Sequence, residues 1–154
     1  VGNSGASIVV EGIVDHGLEY MTGGKVVILG DVGQNFGAGM SGGIAYVLPT
    51  NIEEFKFQCN TEMIEFEPLQ NKQEVSEVRN LIIKHLEETD STLALNVLAK
   101  WEEMIPRFVK VVPTDYKVML QKIEAFKEEG FKTEEATLKA FTAVTTKSKV
   151  VVAK

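Results

Sequence analysis

Cysteine is nearly missing from this chain. Cys59 stands alone among 154 residues, which excludes an internal disulfide and fits a reducing compartment. Histidine is almost as scarce. His16 and His85 are the only two, too few to found a zinc site without a cysteine cluster. Positive charge is in deficit, with 16 Lys and Arg against 22 Asp and Glu, a formal charge of −6 and a pI near 5.0. That balance argues against nucleic acid and anionic membranes as partners. No apolar run reaches membrane-spanning length, and no signal peptide is visible. The chain starts at Val1 rather than Met, as a piece of a longer protein would. A cytoplasmic location is expected. Glycine is absent from most of the chain too: after Gly43 only Gly130 remains, so twelve of the thirteen lie before Ile44.

Where glycine is present, it is periodic. Gly5, Gly24 and Gly43 stand nineteen residues apart, each opening an apolar run: Ala6 to Val10, Lys25 to Leu29 and Ile44 to Leu48. At the same offset Met21, Met40 and Cys59 fall in phase, as do Phe36 and Phe55. A helix loses about 1 kcal/mol per interior glycine, so this region is not helical. Val- and Ile-rich runs punctuated by Gly read as buried strands, and a fixed period of strand-like runs is the mark of a solenoid. The expected fold is mainly β with appended helices: a right-handed, single-stranded parallel β-helix with coils of about nineteen residues, followed by a C-terminal helical segment. In it Ile8, Val27 and Tyr46 share one stack, and Val9, Ile28 and Val47 another.

Three regions are expected. Residues 1–69 hold the coils and end in a strand over Glu62 to Glu67, stopped by Pro68. Residues 70–146 form helices packed on or beside them. Asn71 with Glu74 reads as a capping box opening a helix whose apolar face is Val75, Val78, Ile82 and Leu86. A second helix carries Ala94, Val97, Leu98, Trp101 and Ile105 up to Pro106. Phe108 to Val112 is extended. A third helix begins at Thr114 or Asp115 and ends at Gly130, and a fourth runs from Thr133 to about Val144. Residues 147–154 are a short basic tail. Its Val150-Val151-Val152 run is a candidate strand to cover the open edge of the first coil, which otherwise favours self-association.

Several residues invite a chemical reading, and each has a plainer one. Gly37-Ala38-Gly39-Met40-Ser41-Gly42 matches the dinucleotide fingerprint G-x-G-x-x-G. That motif holds a pyrophosphate only between a strand and a helix N-terminus, whereas a strand-like run follows here, so a crowded turn is the better reading. Asp15 and His16 are neighbours whose side chains point to opposite faces of a strand. His85 and Glu88 lie on one helix without further ligands, which suits a surface or packing His. Cys59 has no basic neighbour and reads as a small buried hydrophobe. The pairs Glu53-Glu54, Glu87-Glu88, Glu102-Glu103 and Glu128-Glu129 read as solvated faces. Trp101, Phe108 and Tyr116 are core or docking residues. Nothing assembles a nucleophile, a base and an oxyanion site, so no catalytic, cofactor-binding or metal-binding residue is assigned.

Read as whole strings, Asp15 to Gly24, Val26 to Gly30 and Asn35 to Val47 closely resemble the carboxy-terminal Gly-x-Gly-x-Gly domain of the glutamate synthase large subunit. Cys59-Asn60, Glu67-Pro68-Leu69, His85, Trp101, Phe108 to Val111, Pro113 and Asp115-Tyr116 follow in the same order. The resemblance covers residues 1 to about 120. It implies a parallel β-helix followed by helices. It also implies membership of an oxidoreductase that moves the glutamine amide nitrogen onto 2-oxoglutarate, making two glutamates. The parent enzyme carries FMN and an iron–sulfur cluster, none of which this chain is expected to hold. The resemblance implies a non-catalytic structural domain whose partners are the amidotransferase and FMN-binding domains of the same subunit, inactive by itself. The alternative is a stand-alone β-solenoid module for assembly or binding.

Overall fold

A computed structural model gives the fold and describes residues 7–13, Gly17 and residues 22–152. Asp15, His16 and Met21 lie outside the described residues. The chain divides into two compact units, Val1–Thr114 and Asp115–Lys154.

The first unit is built on a five-stranded sheet. The apolar runs form β1 (Ser7–Val10), β2 (Thr22–Ile28) and β3 (Gly42–Val47). A short helix, α1 (Ile52–Gln58), then precedes β4 (Ile64–Pro68). After α2 (Lys72–Thr89), α3 (Thr92–Ala99) and α4 (Trp101–Met104), one 3-10 turn over Ile105–Arg107 leads into β5 (Val109–Pro113). The strand order is β1-β2-β3-β5-β4. β1, β2 and β3 are mutually parallel, whereas β5 runs antiparallel to both β3 and β4.

This topology corrects the expected β-helix. The nineteen-residue offset is real between β2 and β3, where Val27 pairs with Tyr46 and Ile28 with Val47. β1 sits one residue out of that phase, with Ile8 against Val26 and Val9 against Val27. The rest of the second period does not continue as strand. Residues 31–41 are turns, apart from an isolated bridge between Phe36 and Cys59. The segment after β3 caps a helix instead: Asn51 accepts from the Glu54 N–H, and Glu53 and Glu54 favour the first turn of α1. The free edge of β3 is then taken by β5 from the far side of the helical block. The result is one mixed sheet flanked by helices, neither a closed nor a coiled stack, and not mainly β.

Side chains alternate along the strands as the pleat requires. Val26 and Ile28, Ala45 and Val47, and Val109 and Val111 face one way, onto a core completed by Phe36, Met40, Phe55 and Ile64. Phe55 meets Phe36 at 5.7 Å and Phe66 at 5.9 Å between ring centroids. Val27 and Tyr46 lie on the opposite face, which α2 covers with Val78 and Ile82, all four fully buried. Burial on both faces explains why β3 reads as a continuous apolar run. Gly24 and Gly43, at φ 81° and 82°, occupy equivalent left-handed positions at the start of β2 and β3, which side-chain-bearing residues adopt at a cost.

In the second unit α5 (Thr114–Glu128) is followed by a turn at Gly130, φ 103°, and by α6 (Thr133–Val152). α6 runs well past Val144 and takes Val150 to Val152 into helix, so that segment is not the expected covering strand. Its Ala136 and Ala140 are buried.

Candidate functional site

The polar groups of the first unit converge where α2 crosses the sheet. Strand register creates the site. Tyr46 of β3 pairs with Lys110 of β5, which pairs with Glu67 of β4, so the three side chains form one row on the α2 side. α2 presents Glu74 to that row. The Tyr46 hydroxyl donates to Glu74 Oε2 at 2.7 Å, and Lys110 Nζ lies 3.0 Å from Oε1 and 2.8 Å from Oε2. Glu67 stands 3.6 Å from the same ammonium. The row is mostly sheltered: Tyr46 is fully buried, and the Lys110 and Glu74 side chains are 15% and 24% exposed. Glu74 therefore does not close the capping box expected from its spacing. Asn71 Oδ1 caps α2 by accepting from Gln73 and Glu74 N–H, while the Glu74 carboxylate reaches across to the sheet.

Two further contacts continue the seam along the same helix. Lys25 Nζ of β2 donates to Glu77 at 2.6 Å, and His85 Nε2 lies 2.8 Å from Glu11 just beyond β1. Glu11 is held below its ordinary carboxyl value, first by the hydrogen bond from His85 and then by one from Ser91, with desolvation opposing both. Glu74, Glu77 and His85 thus fix both the rotation and the axial position of α2 on the sheet. Both oxygens of Glu74 are engaged, so this arrangement clamps rather than presenting a reactive carboxylate.

The residues singled out in the sequence do not gather at one place. Gly37 to Gly42 lead into β3, not into a helix. Three of the loop's N–H groups already have acceptors: Gly37 donates to Gly17 O, Ala38 to Asn35 O and Met40 to Gly37 O. A phosphate cradle needs free donors at a helix N-terminus; with a strand following and these three donors taken, the loop does not fit a dinucleotide or flavin phosphate. Cys59 is half-buried and its thiol is pushed up to about 12 by desolvation, the opposite of an activated nucleophile. A lone thiol does not fit an iron–sulfur cluster either, and no set of three or more His, Cys, Asp or Glu that could hold a metal occurs among the described residues. Glu88 is exposed at the end of α2, apart from the His85 contact. Trp101 and Phe108, candidate docking aromatics, pack edge-to-face on each other at 5.8 Å and are buried. Tyr116 is half-buried in the second unit.

Sequence reasoning missed the Tyr46–Glu74–Lys110 row, because partners 28 and 36 residues apart leave no local pattern. It could have found one contact. Asp31 accepts from the Thr50 N–H at 2.8 Å and hydroxyl at 3.0 Å, nineteen residues on, which is the period itself.

Three parallel strands extended by two antiparallel ones, with one helix clamped across the sheet, define a mixed α/β domain with a glycine-rich first half. The Gly-x-Gly-x-Gly motif family matches residues 1–114, the bounds of the first compact unit, and the chain belongs to that family. It is similar to the glutamate synthase [NADPH] large chain of Bacillus subtilis, 52% identical over 145 residues that make up 94% of this chain and 10% of the relative. It is 49% identical over 130 residues to the glutamate synthase [NADH] of Schizosaccharomyces pombe, covering 84% of this chain and 6% of that protein. With the ferredoxin-dependent glutamate synthase of Pyropia yezoensis it shares 44% identity over 113 residues, 73% of this chain and 7% of the relative. The chain thus spans a tenth or less of the length of these relatives. No helix of the described residues is long and apolar enough to cross a membrane.

Proposed function

We propose that this chain is a non-catalytic structural domain of a glutamate synthase, the oxidoreductase that makes glutamate from glutamine and 2-oxoglutarate. The observation that carries this reading is the match of 94% of the chain to a tenth of a glutamate synthase large chain. The site supports the non-catalytic part. Its charged groups are turned onto each other across the helix–sheet seam, and the glycine loop leads into a strand with three of its donors already used. FMN and the iron–sulfur cluster belong, in this reading, to other parts of the parent enzyme, and this domain packs with the amidotransferase and FMN-binding domains of the same subunit. A reducing, cytoplasmic compartment goes with it, and the unpaired Cys59 suits that setting.

The length of the matches favours a nicotinamide nucleotide as electron source. The NADPH- and NADH-linked relatives match over 145 and 130 residues, whereas the ferredoxin-dependent enzymes of Pyropia yezoensis, Spinacia oleracea and Synechocystis match over 113, 113 and 117. The test uses the full-length enzyme with the partners that co-purify with it. Glu74→Ala is expected to lower the yield of folded enzyme while leaving turnover per folded enzyme unchanged. A fall in turnover with the fold intact would make the seam catalytic and overturn the reading. Initial rates should be supported by NADPH or NADH and not by reduced ferredoxin. The purified chain alone should be colourless and show no saturable NADPH binding by calorimetry.

A further inference from the structure

α2 has a second working face. Glu74, Glu77, Val78, Ile82 and His85 point to the sheet, but Lys72, Val75, Ser76 and Arg79 recur at helical spacing on the other side. They form one wall of a groove of about 900 Å³. Leu69, Trp101 and Ile105 supply its apolar floor and far wall, with Pro68, Pro106 and Glu102 at the rim. Both cations are exposed and make no ion pair or hydrogen bond among the described residues.

The groove's two unpaired cations, with Glu102 as its acidic lining residue, run against the trend of the molecule. In a chain of net charge −6, Lys25 and Lys110 of the first unit are paired with glutamates and Lys56 lies over the Phe66 ring. Of its other cations, Lys72 and Arg79 line this groove, and Lys100 and Arg107 line a smaller one of about 430 Å³ on the other side of α3 and α4. Lys84 alone lies away from both. The larger groove is open along its length, whereas small-molecule sites enclose most of their ligand. From Lys72 to Arg79 the helix rises about 10 Å, the span of about three residues of extended chain.

We infer that this groove seats an acidic, apolar segment of the same polypeptide outside residues 1–154, its apolar side chain on Trp101 and Ile105 and its carboxylates against Lys72 and Arg79. This rests on the reading that the chain is a domain of a much longer synthase. A carboxylate between two cations on an apolar floor gains both steering and register.

The experiment places the photo-crosslinker p-benzoylphenylalanine at the exposed position of Ser76 in the full-length enzyme. The cross-linked peptide, mapped by mass spectrometry, should be an acidic segment elsewhere in that polypeptide. Its yield should fall about tenfold in Lys72→Glu combined with Arg79→Glu, and should not change in Lys84→Glu. Cross-linking to a second copy or another protein, a yield indifferent to the double charge reversal, or no cross-link in folded enzyme would overturn the inference. Glutamate formation from glutamine and 2-oxoglutarate is measured on the same samples. An inactive protein that cross-links as expected defeats the synthase reading and leaves the groove standing. An active enzyme without the cross-link does the reverse.

Discussion

Glu74 joins two strands to a helix through a single carboxylate. Removing it as Glu74→Ala strips the largest fully buried side chain, Tyr46, of one acceptor and leaves Lys110 with only the more distant Glu67. Leaving one partner of a sheltered charge pair behind costs more than the pair contributes, so a loss of about 2–3 kcal/mol is expected by denaturant unfolding. Tyr46→Phe, which removes only the hydroxyl, should cost about 1 kcal/mol. The double variant should lose less than the sum. Glu11 yields a pH prediction. Its folded carboxyl titrates below the ordinary value of 4.5 because the His85 and Ser91 hydrogen bonds favour the charged form. A depressed folded value contributes stability that is fully present above the unfolded value and is lost as pH falls through the folded one. Wild-type stability should therefore drop more steeply below about pH 5 than that of Glu11→Gln, with both flat across neutral pH in this respect. Parallel slopes would show that the contact carries no linkage. Cys59 should resist iodoacetamide at pH 8 in the folded chain and react promptly once unfolded, because its thiolate is suppressed by burial.

At the scale of elements, what the sequence showed was local and what it hid was long-range. The caps at Asn71 and Ser91, the stop at Gly130 and the β2–β3 offset can be read from residue type and spacing, since each is decided within a few residues or one period. The antiparallel arrival of β5 on β3 cannot: Val47 pairs with Val109 across the whole helical block. An apolar run such as Phe108 to Val112 announces a strand without announcing its neighbour. The same ambiguity made three parallel runs look like a coiled stack. Gly24 and Gly43 mark left-handed positions inside β2 and β3, and Gly30 makes a close backbone approach. A methyl group there would meet the Glu11 carbonyl oxygen at 2.3 Å, where at Gly12 it would find only the Asp31 carbonyl at 3.7 Å. Gly30→Ala must push the β1 and β2 loops apart and should cost at least about 2 kcal/mol, while Gly12→Ala should stay within about 0.5 kcal/mol of wild type. Equal thermal midpoints for the two would remove the argument that loop-to-loop contact dictates glycine in this region.

For the molecule as a whole, the sheet has two edges among the described residues, and they are not alike. β4 is defended: it carries Glu65 and Glu67 and ends in Pro68, the charges and missing N–H with which natural edges discourage pairing. β1 reads Ser7-Ile8-Val9-Val10, with no charge, no proline and high strand propensity. In the structural-domain reading, that undefended edge is one that the larger polypeptide covers. The isolated chain should therefore self-associate at micromolar concentration through β1. Sedimentation velocity should show species larger than a monomer, growing with concentration. Ser7→Lys places a charge on the exposed end of that strand, away from the core, and should return the chain towards monomer without lowering its melting temperature. A charge just before β4 that leaves Pro68 in place, at the exposed Met63→Lys, should leave the association unchanged, because β4 is not the pairing edge. If the wild-type chain is a monomer at every concentration, the β1 edge needs no cover and the argument from an undefended edge fails.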